Sequence, residues 1–138
     1  ERDDVLSALG AVRDPALLER ALALALDPRL GPRDSARPLK QALESPESSQ
    51  AALAWFARNI DAMSARFPKD FQGYWPEWAE TACTDTERAQ FVEVFETRVK
   101  GLEADPLNYR NTLERIDACI AGARAQRASL NAFLAGLK

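Results

Sequence analysis

Four polar side chains sit at spacings that suit them to more than solubility: Arg13, Asn59, Arg110 and Glu114. Arg110 and Glu114 are four residues apart in a helix-forming stretch and so share a face. They make either a surface ion pair of small net worth or a site where the guanidinium fork suits a carboxylate. Asn59 falls on the same apolar face as Phe56 and Met63, where an amide without a partner costs about 1–3 kcal/mol; a bond to a neighbouring helix end is preferred here to substrate contact. For Arg13 the preferred role is to hold a preceding carbonyl. The cluster Tyr74-Trp75-Pro76-Glu77-Trp78 offers large aromatic area, to be spent on core packing first and on an apolar pocket second. Arg29, Arg33, Arg37 and Lys40 form a basic strip, read as a solvated face, with attraction of anionic peptide ends or an acidic neighbouring domain as its other use.

Several chemistries are excluded. The chain has no histidine, which removes imidazole bases, serine–histidine triads and paired-histidine zinc sites. Cys83 and Cys119 lie 36 residues apart without a CxxC pairing, so they are expected to be two structural thiols rather than a disulfide framework or a zinc site. No residue is assigned a catalytic or metal-binding role, no cofactor is expected in this chain, and its compartment stays open between cytoplasm and periplasm. A net charge of -3 lacks the basic excess of a nucleic-acid footprint. No apolar run approaches the roughly 20 residues of a bilayer span, and the start does not read as a signal peptide.

The elements that must position these groups are helical. Alanine (25) and leucine (17) dominate, against eight valines and isoleucines together, which favours helix formers over strand formers. At 138 residues one domain is expected. Seven helices are predicted. The first covers residues 1–12 with Val5, Leu6, Leu9 and Val12 on one face, and the second, 14–27, is opened by Asp14-Pro15 and apolar nearly all round. A short one at 34–44 is anchored by Leu39 and Leu43. The fourth, 46–66, opens at Ser45-Pro46 and carries Ala52, Phe56, Ile60 and Met63. A short aromatic helix at 70–82 follows, then 85–100 behind a Thr84/Glu87 capping box, with Val92, Phe95, Val99 and Leu102 on one face. The last, 106–136, starts at Asp105-Pro106 and turns Leu113, Ile116, Ile120, Leu130 and Leu134 inward, with Gly122 as a bend or a close helix approach. Short turns make sequential helices antiparallel neighbours, so the fold expected is all-α, an irregular HEAT-like α-solenoid.

The order of four segments, "ALGAVRDPALLERALALAL", "AALAWFARNIDAMSARFP", "TACTDTERAQFVEVFE" and "NYRNTLERIDACIAGARA", resembles the C-terminal helical domain of zinc aminopeptidases of the aminopeptidase N and puromycin-sensitive type, over nearly the whole chain. The elements that carry it are Leu9-Gly10 with Arg13-Asp14, Trp55-Phe56 with Asn59, Cys83-Thr84, and Arg110 with Glu114 and Ile116. Arg13 directly before Asp14 departs from the Gln of many eukaryotic members and points to a bacterial branch. The resemblance implies that residues 1–138 are one helical domain from a longer polypeptide, in keeping with Glu1 standing where an initiator methionine would. It implies a zinc centre in an upstream catalytic domain, and a lid-like domain enclosing the chamber and limiting peptide access, with Arg13, Asn59, Arg110 and Glu114 as the residues that would face the chamber or the catalytic domain. The partners implied are that catalytic domain and the parent's peptide substrates. The competing expectation is an independent helical-repeat adaptor binding a protein on its concave face.

Overall fold

The computed structural model describes residues 2–99 and 106–137, and within them every regular element is helical. Helix α1 (Arg2–Gly10) is followed by α2 (Pro15–Leu22), which tightens into a 3-10 turn at Ala23–Leu26. Next come α3 (Pro32–Ser35), α4 (Arg37–Glu44) and the 18-residue α5 (Ser49–Arg66). A single turn, α6 (Lys69–Gln72), leads into a 3-10 stretch at Trp75–Ala79. Helix α7 (Asp85–Phe95) and the 29-residue α8 (Leu107–Ala135) complete the order. The seven helical units anticipated from the sequence are all present, three of them broken into two pieces.

Local chemistry explains the boundaries. The Asp14 carboxylate accepts the Leu17 N–H at 2.9 Å, and Pro15 needs no partner in the first turn. Thr84 and Glu87 form the reciprocal capping box at the start of α7. Helix α5 begins later than Ser45-Pro46 suggested, because the Ser48 hydroxyl donates to the Ala42 carbonyl at 2.9 Å and closes the turn after α4. The aromatic stretch stays short because Pro76 lacks a donor for a continuous ladder. Leu102 and Asp105, expected on the face of the sixth helix and at the start of the seventh, lie outside the described residues.

Helix α1 packs on α4, α4 on α5, α5 on α7, and α8 on both α7 and the Trp75–Ala79 turn. Gly10 permits the first of these contacts: a Cβ there would run into the Pro38 carbonyl oxygen and come within 2.8 Å of the Gln41 Cβ. The core gathers around Phe56, whose ring meets Trp75 edge-on at 5.2 Å and Phe95 at 5.7 Å. Leu22, Leu39, Leu43, Leu53, Met63, Phe91 and Ile116 are fully buried around it, each stabilising the fold by about 1.5–3 kcal/mol.

Three expectations need correction. Helix α2 is not apolar all round in its packing: Leu18, Ala21 and Leu22 are buried but Leu17 is half exposed. In α8, Thr112, Ile116 and Ile120 are buried, yet every residue from 121 to 137 is exposed, Leu130 and Leu134 included. A helix of that length reaches about 43 Å and outruns the body it packs on, so Gly122 faces open space rather than a neighbouring helix. Finally, Cys83 and Cys119 are not two thiols but a disulfide, with Cα atoms 5.3 Å apart, because α8 crosses back over the start of α7. Among the described residues no helix is long and apolar enough to cross a membrane.

Candidate functional site

A cavity of about 400 Å³ lined by both signs of charge lies where α3 and α4 face the aromatic segment. One wall is Arg33, Arg37 and Lys40, whose spacing of four and three residues places them on one helical face. The other wall is Phe71, Tyr74, Glu77, Trp78 and Glu80, with Glu44 at one end. Three members of the basic strip and three of the aromatic cluster, Tyr74, Glu77 and Trp78, are thus two sides of one groove, whereas Arg29 lies outside it and donates to the Asp27 carboxylate.

Its charges are partly spent. Arg37 donates to Asp3 at 2.7 Å, Lys40 lies 3.5 Å from Glu44, and Glu80 pairs with Arg115 of α8. Arg33 and Glu77 make no ion pair among the described residues, so one cation and one carboxylate remain available on opposite walls. Trp78 is buried and forms the floor, whereas Tyr74 stands 55% exposed at the lip. A groove with a free cation, a free anion and an aromatic lip can hold an extended peptide by its charged groups and one apolar side chain. It offers no nucleophile with an adjacent base.

The four residues singled out by sequence do not converge on this groove. Arg13 is exposed on the turn between α1 and α2, 3.6 Å from Glu47, beside two smaller hollows. Asn59 is half-buried on α5, and its Nδ2 donates to the Trp55 carbonyl of the same helix at 2.8 Å. The expected bond to a neighbouring helix end is therefore made within α5. Arg110 and Glu114 are both exposed on α8, and no ion pair joins them among the described residues. They share a face, as their spacing requires, without gripping one another.

Sequence reasoning saw Glu87 only as half of a capping box. In the fold its carboxylate is buried and accepts from the Ser49 hydroxyl at the start of α5, from the Cys83 N–H at 3.0 Å, and from both the N–H and hydroxyl of Thr84. Burial pushes this carboxyl up, but the hydrogen bonds from Ser49, Cys83 and Thr84 outweigh it and hold the group below the ordinary glutamate value. Such a cluster ties α5 to α7 and is structural rather than reactive. No local signal could have found this pairing, because Ser49 falls inside the helix expected to open at Ser45-Pro46 and its partner is 38 residues away.

Among the described residues a zinc ion finds no suitable donor set. The chain has no histidine, both cysteines are consumed in the disulfide, and no group of three potential ligands occurs among the described residues. Comparison with known families finds a match to the family model described as ERAP1-like C-terminal domain, over residues 1–134. No curated protein and no solved structure matches the chain.

Proposed function

Because the chain belongs to the ERAP1-like C-terminal domain family, we propose that it serves as a wall of the substrate chamber in an M1-type zinc aminopeptidase, a non-catalytic helical domain that helps decide which peptides reach the catalytic centre. The family match over residues 1–134 carries this reading. The zinc chemistry, polarising a scissile carbonyl and activating water, belongs in this reading to another part of the parent polypeptide, in keeping with a chain that has no histidine and, among the described residues, no group of three potential ligands. In this reading the helical units stack as irregular HEAT-like pairs whose surfaces face the catalytic domain. Arg13 before Asp14, together with 14 arginines against four lysines, supports a bacterial parent. The Cys83–Cys119 disulfide supports an oxidising compartment for it.

Within that role the 400 Å³ groove is the surface that meets peptide. Arg33 attracts a carboxylate, Glu77 an ammonium or guanidinium group, and Tyr74 covers an apolar side chain. In this reading, contacts made by a separate domain act on long substrates and not on a single aminoacyl group. In the full-length parent, Arg33→Glu and Tyr74→Ala should each raise KM for a peptide of about ten residues roughly fivefold, the equivalent of about 1 kcal/mol per lost contact. The kcat/KM for an aminoacyl anilide should change less than about twofold. Equal effects on both substrates, or none on either, would overturn the assignment of this groove.

A further inference from the structure

The two sulfurs of the disulfide are not equivalent. Cys119 sits in mid-helix on α8 with its residue exposed, whereas Cys83 is half-buried directly before the Thr84 cap of the eleven-residue α7. The Cys83 backbone is fixed independently of the sulfur, because its N–H donates to the buried Glu87 carboxylate. Beyond Cys119, α8 meets the body through the buried Ile120 and, among the described residues, through the ion pair of Arg124 with Asp85 at 2.6 Å; just before it lies Arg88 with Asp117. Arg124 and Asp85 are largely exposed and Arg88 and Asp117 partly so, and such pairs hold a helix weakly.

We propose that Cys119 is a thiol-exchange site, open in the folded protein to a low-molecular-weight thiol, and that Cys83 is the leaving sulfur. The incoming thiolate bonds to the Cys119 Sγ, the Cys83–Cys119 bond breaks, and its electron pair departs with the Cys83 Sγ as a thiolate. A second thiol then bonds to the first on the mixed disulfide, releases Cys119 as a thiolate, and leaves the two small thiols oxidised to their own disulfide. Accessibility sets this direction: Cys119 is an exposed residue and Cys83 a half-buried one, so the nucleophile reaches the Cys119 sulfur first. Once the bond is open, Cys83 stays in place on its Glu87 anchor, while beyond Ile120 the ion pair of α8 with the body among the described residues is Arg124 with Asp85.

The test uses the native chain and reduced glutathione at mildly alkaline pH, with the reaction quenched by a maleimide and both cysteines located by peptide mass spectrometry. The expected product carries glutathione on Cys119 and maleimide on Cys83, in roughly tenfold or greater excess over the reverse isomer. It should form at the same rate in urea too dilute to unfold the chain. Glutathione on Cys83, an even mixture, or exchange only at unfolding urea concentrations would each overturn the proposal. Mapping on the unmodified sequence needs no variant that fails to fold.

Discussion

The Glu87 carboxylate offers the sharpest test of how the halves of this fold are joined. Replacing it by alanine removes the acceptor of four hydrogen bonds, from the Ser49 hydroxyl, the Cys83 N–H and the Thr84 N–H and hydroxyl. Hydrogen bonds to a charged group contribute about 1.5–3 kcal/mol, and loss of a helix cap costs about 1 kcal/mol. The Thr84 donors are exposed and can turn to water, whereas the half-buried Cys83 N–H and the buried Ser49 hydroxyl are harder to satisfy elsewhere. The expected loss for Glu87→Ala is therefore about 3 kcal/mol, a large part of the 5–15 kcal/mol typical of a domain. Glu87→Gln keeps an acceptor oxygen but not the charge and should cost about 1 kcal/mol at neutral pH.

Protonation supplies the second arm. The folded carboxyl titrates below its ordinary value of 4.5, so its contribution is complete above that value and is lost as pH falls through 4.5 and then through the lower folded value. Urea unfolding of wild type and Glu87→Gln at pH 7 and pH 3 separates this group from the other carboxylates, which titrate alike in both proteins. The gap between the two should narrow at pH 3, and Glu87→Ala should lower the pH 7 midpoint by about 1.5–2 M. A gap that is the same at both pH values, or an alanine variant within about 0.5 kcal/mol of wild type, would refute the reasoning.

Two further outcomes follow from the packing. Gly10→Ala, which helix propensity alone would make stabilising by about 1 kcal/mol, should instead destabilise by about 1–3 kcal/mol, because the new Cβ meets the immobile Pro38 carbonyl; thermal denaturation reads the sign directly. Replacing both cysteines by serine should lower stability by about 4 kcal/mol through the 36-residue loop that the disulfide closes, measured by urea unfolding against the oxidised chain.

Helices were readable from local signals, and those signals were mostly caps. Asp14 and the Thr84/Glu87 pair satisfy N–H groups within three residues of themselves, so their bonds survive any tertiary arrangement. Apolar periodicity was a poorer guide to depth. Leu130 and Leu134 continue the spacing of Ile116 and Ile120, yet only the latter two are buried. Periodicity reports which face of a helix is apolar and cannot report where the neighbouring body stops. The same limit applied to Leu17, which repeats the composition of α2 without meeting a partner.

The groove was half legible for a related reason. Arg33, Arg37 and Lys40 stood out as a strip, and Tyr74 to Trp78 as a cluster, because each is contiguous in sequence. What joins them is the packing of α4 against the Trp75–Ala79 turn, a contact between segments nearly 40 residues apart that no local pattern encodes. Arg110 and Glu114 show the converse. Their i, i+4 spacing was read correctly as one face, but a shared face in water leaves two long side chains free to remain apart, since the entropy of holding them together offsets most of a solvated attraction.

Cys83 and Cys119 are the clearest instance of information that only topology holds. Sequence gives a separation of 36 residues and no motif, which on its own favours free thiols. The pairing requires α7 to end and the chain to reverse. It then needs α8 to cross α7 at its N-terminus with Cys119 on the inner edge, about one turn beyond the buried Ile116 and beside the buried Ile120. The residues that enforce this crossing are Tyr109, stacked on Phe91 with centroids 5.3 Å apart, and Ile116 in the core. Each is an ordinary apolar side chain whose importance comes from what it faces. The disulfide therefore follows from the packing of α8 rather than directing it, so α8 should dock through residues 107–120 even in the serine variant, with the covalent bond adding persistence to a contact already chosen.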